Sequence, residues 1–479
     1  MSATKTASAP ATASVRWVLT SLSLSMLFSS LGTSSANVAL PALADAFGVS
    51  FQAVQWVVLA YLLAITTLIV SVGRLGDIVG RRRLLLAGIA LFTAASVLCG
   101  LTPAFPLLVA VRVVQGIGAA IMMALTMAFV GEAVAKEKTG SAMGLIGTMS
   151  AIGTALGPSL GGALLAGPGW RAIFLVNVPL GLLALVLAHR HLPADKGNEG
   201  RERARFDVVG TLLLALSLGA YALAMTVGRG SFGALNVALL SVAAVGLALF
   251  LRVETKVASP LIRPAMLRDP VFSRGLSSNA LVSTVMMATL VVGPFYLSRG
   301  LGLDAARVGL VLSVGPIISA FGGVAAGRIV DRLGAASVVI VGLMAMAAGS
   351  AALVLLPGLF GVAGYVAAIA LLTPGYQLFQ AANNTAVMAD MGADRRGVVS
   401  GLVNLSRNLG LVTGASVLGA VFASAVGASE VSEAAPEAVA RGMQVTFAVA
   451  GLLTVIALAI AVGGRALGKR IMRSGEASA

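Results

Sequence analysis

The sequence predicts an all-α integral membrane protein: two six-helix bundles related by a pseudo-twofold repeat plus two extra helices, fourteen transmembrane helices in all. Of its 479 residues, 58% are hydrophobic and only 11% are charged, whereas soluble domains carry roughly 25% charged residues. Apolar runs long enough to cross about 30 Å of hydrocarbon recur from Trp17 to Gly463. A soluble fold has no place for so many such runs.

The apolar runs divide the chain into three parts. We expect an N-terminal six-helix bundle (1–190), a segment of cytoplasmic linkers with the two extra helices (191–271), and a C-terminal six-helix bundle with a cytoplasmic tail (272–479). The first run, behind Arg16, is too long for a signal-peptide core and is interpreted as a retained helix. In chain order, the predicted helices lie at 16–40, 51–72, 84–101, 105–130, 142–166, 170–189, 207–228, 232–251, 272–298, 306–327, 336–356, 359–388, 398–425 and 442–463.

The distribution of positive charge predicts the orientation of these helices. Of the 33 Lys and Arg residues, 26 lie on the side of the N-terminus, 5 on the other side, and Arg112 and Arg407 within helices. Because cytoplasmic segments carry the excess of Lys and Arg, both termini are predicted to be cytoplasmic in a multi-pass plasma-membrane protein. The net charge of +15 is scattered between apolar runs, which argues against nucleic-acid binding.

Two segments repeat the same residues at the same spacing. In Gly73–Arg83 and in Gly327–Gly334, Gly-Arg is followed by Asp and then Gly, with an offset of 254 residues. A shift of eight predicted helices fits six helices per repeat plus two extra ones. Parallel repeats suit a transporter whose halves rock around a midplane site. A second match, at an offset of 257, pairs Gly153 and Gly157 with Gly410 and Gly414.

The repeated segment is predicted to be a loop that acts as a conformational latch. Its glycines permit a tight turn, its aspartate accepts hydrogen bonds from a helix N-terminus, and its arginines reach carboxylates or lipid phosphates. Such a cluster can hold the cytoplasmic ends of two bundles together; the alternative is a loop that only anchors the helices on the positive side. The predicted latch residues are Gly73, Asp77, Gly80, Arg81, Arg82, Gly327, Asp331 and Gly334.

Several segments resemble motifs of the major facilitator superfamily. Gly73–Arg83 is similar to its signature loop, and Arg112–Gly116 to its fourth-helix motif, whose arginine is associated with proton coupling. Leu31–Pro41 and Trp170–Gly181 resemble the fourteen-helix drug:proton antiporter branch. The resemblance implies a secondary transporter that exports small amphipathic compounds in exchange for protons, as in multidrug efflux and antibiotic resistance. The antiporter motif of the fifth helix corresponds to Gly153, Gly157, Pro158, Gly161 and Gly162.

One departure from that branch concerns the proton carrier. The branch has an aspartate in the first helix where this chain has Gly32, and none of the 18 acidic residues lies near a predicted midplane. Arg112 lies inside a helix, where a guanidinium is costly unless it finds partners within the bundle. We therefore expect proton coupling to use Arg112 with a carboxylate at a cytoplasmic helix end, where burial favours the protonated form. The candidate carboxylates are Glu132, Asp207 and Asp77.

Polar residues within apolar helices are the candidates for a substrate cavity, because such groups need partners and often mark a pathway. Hydrogen bonding between helices is the alternative explanation for each of them. The candidates are Asn37, Gln55, Tyr61, Gln115, Asn279, Gln377, Gln380, Asn383, Asn384 and Arg407.

The sequence lacks the features of an enzyme. It has no Gly-Lys-Ser/Thr phosphate loop and no catalytic constellation, and its single cysteine, Cys99, excludes a multi-cysteine metal site. We expect no cofactor or metal, with the proton gradient as the energy source. The expected partners are a small-molecule substrate, protons and membrane lipids, with no nucleic acid, and the protein is expected to be a monomer. One alternative is export of one specific metabolite or natural product, which is favoured by Gly32 in place of the branch's aspartate. The other is a lipid-moving protein or a non-transporting membrane partner.

Overall fold

The computed structural model describes residues 12–133, 139–194, 207–227, 233–257, 266, 268–388, 396–427, 431 and 434–476. The part of the chain that it describes contains α-helices and two π-helical turns and no strand. The helices are α1 Thr12–Val38, α2 Leu40–Phe47, α3 Phe51–Val54, α4 Trp56–Val79, α5 Arg81–Leu101, α6 Phe105–Ala133, α7 Thr139–Ala166, α8 Trp170–Leu175, α9 Asn177–His191, α10 Val208–Thr226, α11 Ala234–Glu254, α12 Pro270–Phe295, α13 Ala305–Leu333, α14 Ala335–Met388, α15 Arg396–Thr413, α16 Gly419–Val426 and α17 Pro436–Glu476. The π-helical turns are Tyr296–Gly300 and Gly414–Leu418.

Among the described residues, twelve helices are long and apolar enough to cross a membrane. This confirms a multi-spanning helical membrane protein, while the number fourteen stays a prediction. Two features bear on the count. The 28-residue α7 is not one of the twelve, and the 54-residue α14 counts as a single helix although its backbone leaves the helical region at Gly361 (φ 55°, ψ −128°).

The two limbs of α14 on either side of Gly361 pack against each other. A methyl group at Gly342 would lie 2.8 Å from the carbonyl oxygen of Gly375. A straight helix rises about 1.5 Å per residue and would hold these positions roughly 50 Å apart. The chain therefore reverses direction near Gly361, and the limbs form a helical hairpin.

The repeated Gly-Arg-Asp-Gly segments lie mostly in helices, which corrects the expectation of a loop. Gly73–Val79 forms the last turns of α4, and Gly327–Leu333 forms the last turns of α13. Each helix ends at the final glycine of the segment, Gly80 (φ 104°) or Gly334 (φ 78°), in a backbone region that other residues rarely adopt. These positions differ by 254, so the repeat of the sequence is also a repeat of backbone conformation.

The second repeat is confirmed by helix packing. Gly153 in α7 lies against α1, where an added methyl group would be 3.1 Å from the Cβ of Ser30. Gly410 in α15 lies against α12, where the methyl group would be 2.6 Å from the Cβ of Ser283. The two serines are 253 positions apart, so corresponding helices of the two halves pack through corresponding residues.

Candidate coupling and translocation site

Arg112 on α6 is wholly buried between α1, α4 and α5. Its Nε donates to the carbonyl oxygen of Val57 (2.7 Å), and one Nη donates to the carbonyl of Gly32 (3.3 Å) and to Oε1 of Gln115 (2.6 Å). The guanidinium also lies 4.1 Å from the ring centre of Tyr61. Its Nη2 has no hydrogen-bond partner among the described residues. Backbone dipoles, an amide and an aromatic face thus surround this charge.

Two further hydrogen bonds hold the residues around Arg112 in place. Gln115 donates from Nε2 to the hydroxyl of Ser96 on α5 (2.8 Å), which directs its oxygen toward the guanidinium. Tyr61 donates from its hydroxyl to the carbonyl of Ser29 on α1 (3.0 Å). Four helices, α1, α4, α5 and α6, are therefore joined through one buried cation and its neighbours.

Gly32 leaves no space for the aspartate that the antiporter branch carries at this position. A Cβ at Gly32 would lie 2.6 Å from Cζ of Phe92, and Phe92 is itself packed edge-on against Phe28. An acidic side chain here would have to displace an aromatic ring in the core of the first half. The backbone carbonyl of Gly32 instead faces Arg112.

Asp207 is the predicted proton-binding carboxylate whose surroundings are best defined. It is the N-cap of α10, where its Oδ1 accepts a hydrogen bond from the backbone N–H of Gly210 (2.8 Å). The residue is only 6% exposed, and its Oδ2 has no hydrogen-bond partner among the described residues. The cap explains why an aspartate suits this position, and it uses only one of the two carboxylate oxygens.

A second buried carboxylate, which sequence reasoning did not single out, lies beside Asp207. Glu254 is the last residue of α11 and is 2% exposed. A Cβ at Gly210 would lie 2.7 Å from its Oε1 and would also touch Oδ2 of Asp207, so the two acids approach the same point from α10 and α11. The signal in the sequence is only an acid at the end of an apolar run, which does not identify its neighbour.

The other two candidate carboxylates are placed only in part. Glu132 lies in the last turn of α6 and Asp77 in the last turns of α4. Their side chains lie outside the described part of the chain. The roles predicted for them stay predictions.

The candidates for the substrate cavity separate into three groups. Tyr61, Gln115 and Asn279 are wholly buried and bond between helices, Asn279 through its Nδ2 to the carbonyl of Val403 on α15 (3.0 Å). Asn37, Gln377 and Gln380 each donate one hydrogen bond, to Thr33 O (3.2 Å), Ser319 O (2.8 Å) and Tyr376 Oη (3.0 Å). The remaining four candidates have no such bond within the described part of the chain. Asn384 and Arg407 are exposed, whereas Gln55 and Asn383 are buried and have polar atoms without a hydrogen-bond partner among the described residues.

The two halves of the chain contact each other where α1 and α7 end and α4 and α13 begin. Phe51 packs edge-on against Phe295, with ring centres 4.7 Å apart, and also contacts Phe422 at 5.1 Å. Beside these rings, Asp45 accepts hydrogen bonds from Arg299 at 2.5 Å to both carboxylate oxygens. We call this region the contact end.

The glycines of the antiporter motif lie in helix-to-helix contacts of α7. A Cβ at Gly157 would overlap Ser34 on α1, and one at Gly161 would lie 3.2 Å from the carbonyl of Ser35. Gly162 faces the other half, where its Cβ would be 2.8 Å from Cα of Gly309 on α13. Pro158 lies within α7 and is buried. One face of α7 thus packs inside its own half while its last turns join the two halves.

The predicted latch residues lie at the opposite end of the molecule. Arg82 donates from Nη2 to the carbonyl of His189 on α9, a contact within the first half. A methyl group at Gly73 or Gly327 would meet nothing within 4 Å, and Asp331 is exposed. Arg81 begins α5 directly after the break at Gly80. These positions suit a surface contact, and the latch itself stays a prediction.

Comparisons with known proteins extend these observations. The chain is 33% identical over 441 residues to the multidrug resistance protein Stp of Mycobacterium tuberculosis (strain ATCC 25618 / H37Rv), which is 88% of this chain and 79% of that protein. It is 29% identical over 412 residues to the riboflavin transporter RibZ of Clostridioides difficile (strain 630), which is 86% of this chain and 89% of that protein. Its fold is similar to the crystal structure of a bacterial homolog of the human lysosomal transporter Spinster (TM-score 0.67, 17% identity), which covers 94% of this chain and 97% of that one.

The family assignment rests on a match along most of the chain. Residues 22–415 fit the model of the Major Facilitator Superfamily, and this range includes Arg112, the Asp45–Arg299 pair and both repeated motifs. The chain therefore belongs to the Major Facilitator Superfamily and is a multi-pass membrane transporter of small molecules, not an enzyme.

Proposed function

We propose that this protein exports small amphipathic compounds from a bacterial cytoplasm, across the inner membrane, in exchange for protons. The observation that carries the proposal is the contact end, where Phe51, Gly162 and the Asp45–Arg299 pair join the two halves. Halves that touch at one end of a repeat-built transporter can rock to expose a central site alternately. The resemblance to Stp supports drug-like substrates.

The proposal includes fourteen transmembrane helices, with both termini in the cytoplasm and divisions at residues 190 and 271. Two limbs of α14 that pack side by side favour two spans there, and the 28-residue α7 is long enough for one more. Added to the other helices, these two changes raise the count from twelve to fourteen. The excess of Lys and Arg on the side of the N-terminus supports the orientation. The monomeric state is part of the same proposal.

Asp207, with Glu254 beside it, is our preferred site for proton binding. The carboxyl oxygens of the two residues approach the same point beside Gly210, and we place the transported proton there. Arg112 would contribute through α1, α4, α5 and α6, the helices that its hydrogen bonds and those of Gln115 join. Glu132 is the alternative carboxylate, and Asp77 and Asp331 belong to the proposed latch.

The experiment that tests this function is transport by the purified protein in proteoliposomes. A fluorescent amphipathic dye is the probe, and its movement is followed with an imposed pH gradient and after a protonophore has collapsed it. Gradient-dependent transport supports proton-coupled export. Equal rates with and without the gradient would show that protons do not drive it.

A matched pair of variants identifies the proton-binding group. Asp207→Asn keeps a good N-cap for α10 but removes the carboxylate, so gradient-driven transport should fall by roughly tenfold or more while binding of the dye persists. Asp304→Asn makes the same change at the exposed N-cap of α13, where Asp304 accepts from the N–H of Arg307 (2.9 Å), and should transport normally. Normal coupling in Asp207→Asn would exclude Asp207 as the proton carrier and leave Glu254 and Glu132 as candidates.

Export of one specific metabolite is the second candidate function. The side-chain space at Gly32 is filled by Phe92, so the first helix offers no carboxylate to attract cationic drugs, and RibZ is a riboflavin transporter by name. The same proteoliposomes should be tested with riboflavin, whose fluorescence reports its movement. Transport of riboflavin without transport of the dye would favour this candidate.

A further inference from the structure

A cavity of about 210 Å³ lies in the second half, at the end of the molecule opposite the contact end. It is enclosed by the first turns of α12 and of α14, the last turns of α14, and α17 near residue 460. These are the ends of helices that pack on one another within the second half. The cavity, which we call the Arg274 pocket, is therefore separate from Arg112 and from the contacts between the halves.

The polar atoms of the Arg274 pocket are mainly hydrogen-bond donors. Arg274 on α12 is half-buried and makes no hydrogen bond or ion pair with any residue in the described part of the chain. Asn383 on α14 is 3% exposed, and its Nδ2 has no hydrogen-bond partner there. The hydroxyl of Ser278 also borders the cavity. A buried amide without a partner costs free energy, so a ligand with acceptor oxygens would stabilise this arrangement.

The remaining walls of the pocket are apolar. Val271, Val339, Val387 and Ile460 line it, and no acidic residue is among the described residues that do. Asp269, the acidic residue that comes shortly before Arg274 in the chain, caps α12 by accepting hydrogen bonds from the N–H groups of Val271 (2.8 Å) and Phe272 (3.3 Å). One cation, an unpaired amide and an apolar wall fit a ligand with a negative head and a hydrocarbon chain.

The cavity is too small to hold a whole drug-sized molecule. Pockets that hold drug-sized molecules measure roughly 300–1,000 Å³, so 210 Å³ accepts a head group and the start of a chain. The rest of the chain would remain in the bilayer. Val271 is 55% exposed at the margin of the pocket, which provides an apolar path for it.

We propose that the Arg274 pocket binds the phosphate and the first part of an acyl chain of an anionic membrane phospholipid. The guanidinium of Arg274 and the Nδ2 of Asn383 donate to the phosphate oxygens, and the valines and Ile460 contact the chain. Asn383 then belongs to a lipid site and not to the substrate cavity. With both termini cytoplasmic, as proposed above, this site takes a lipid of the inner leaflet.

The test measures lipid retention and does not depend on transport. The full-length protein is purified in detergent, stripped of lipid, and incubated with phosphatidylglycerol, with phosphatidylcholine or with inorganic phosphate. Native mass spectrometry then counts bound molecules, and thermal unfolding reports stabilisation. We expect one phosphatidylglycerol to remain bound and to raise the unfolding temperature, with at least roughly tenfold weaker retention of phosphatidylcholine, because charge-assisted bonds favour the anionic head.

Three variants make the outcome decisive. Arg274→Gln removes the charge and Ala461→Phe fills the pocket from α17 without a change of charge, so both should lose the retained lipid. Arg268→Gln, an exposed arginine at the same end that does not line the pocket, should retain it. Retention of phosphatidylglycerol by both pocket variants would overturn the proposal, as would stabilisation by inorganic phosphate with no effect of the lipid. Ala461→Phe keeps the test available if Arg274→Gln does not fold.

Discussion

At the scale of single residues, Arg112 is a buried charge that no described carboxylate compensates. It donates hydrogen bonds to two backbone carbonyls and to the amide oxygen of Gln115, and it lies over the face of Tyr61. Hydrogen bonds to a charged group contribute about 1.5–3 kcal/mol each, so three of them offset much of the desolvation cost. The planar guanidinium can reach these acceptors together because its donors point in fixed directions.

We expect Arg112→Lys to lose most gradient-driven transport in proteoliposomes, by roughly tenfold or more, although it keeps the charge. An ammonium cannot bond the carbonyls of Val57 and Gly32 and the amide of Gln115 in the same geometry. Arg171→Lys is the control, since the exposed Arg171 stacks on Trp170 at 4.4 Å and a lysine can do the same. Near-normal transport by Arg112→Lys would show that charge alone suffices.

Part of this site could be predicted from the sequence. Arg112 and Gln115 are three positions apart on one helix and therefore share a face, and a lone arginine in an apolar run indicates a buried role. The carbonyl of Gly32 and the ring of Tyr61 could not be predicted, because their contact with Arg112 depends on how α1 and α4 pack against α6. The neighbourhood of Asp207 and Glu254 likewise depends on the pairing of α10 with α11.

At the scale of helices, glycine decides how closely α7 approaches α1. The contact at Gly153 leaves no space for a side chain, since an added Cβ would overlap the carbonyl oxygen of Leu27. Gly73 on α4 is also a glycine within a helix, but nothing lies within 4 Å of a Cβ added to it. A glycine thus lies at a close helix contact in α7 and at an open surface in α4.

These two glycines provide a matched prediction on stability. Gly153→Ala should lower the temperature of unfolding in detergent, because overpacking of a tight contact typically costs about 1–3 kcal/mol. Gly73→Ala should leave that temperature unchanged or raise it, since alanine favours a helix by roughly 0.5–1 kcal/mol over glycine. Equal stability of the two variants would contradict the close packing of α1 and α7.

At the scale of the whole molecule, the proposed number of fourteen crossings rests on the hairpin in α14 and on a span in α7. We predict that reporter fusions ending at Gly334 and Gly475 report the cytoplasm, and that fusions ending at Gly361 and Gly427 report the outside. The reason is that each limb of α14 is long enough to cross about 30 Å of hydrocarbon. Gly334 and Gly361 on the same side would refute two crossings in α14.

The ion pair at the contact end should bias the two halves toward the state in which they meet at that end. Asp45 and Arg299 are partly exposed, with 51% and 33% of their side chains accessible, so the pair is worth only about 0.2–1 kcal/mol. We predict that Asp45→Arg raises the rate of thiol labelling at a Gln55→Cys reporter by roughly 1.5- to 5-fold. Gln55 is buried against Gly419 between the halves, and the native Cys99 is buried.

The exchanged pair Asp45→Arg with Arg299→Asp should restore slow labelling of that reporter in the purified protein. Charge exchange keeps the attraction and changes only its direction. Asp304 is exposed and pairs with Arg307 three positions later in the chain (3.2 Å). The control variant Asp304→Arg should not alter labelling. Fast labelling in the exchanged variant would show that the pair does not hold the halves together.

The sequence by itself determined the class of the protein, its repeat and its family resemblance, because these depend on composition, local spacing and matching residues. Apolar runs must become helices in a bilayer, where every backbone group needs an internal partner, and Gly80 and Gly334 end helices through their own backbone freedom. Tertiary structure alone decided that Gly32 faces Phe92 and Arg112, that Glu254 joins Asp207, and that Arg274 borders a pocket with Asn383. Each of these contacts joins residues from different helices, and in a membrane their approach is governed by packing between helices, which periodicity along one chain does not encode.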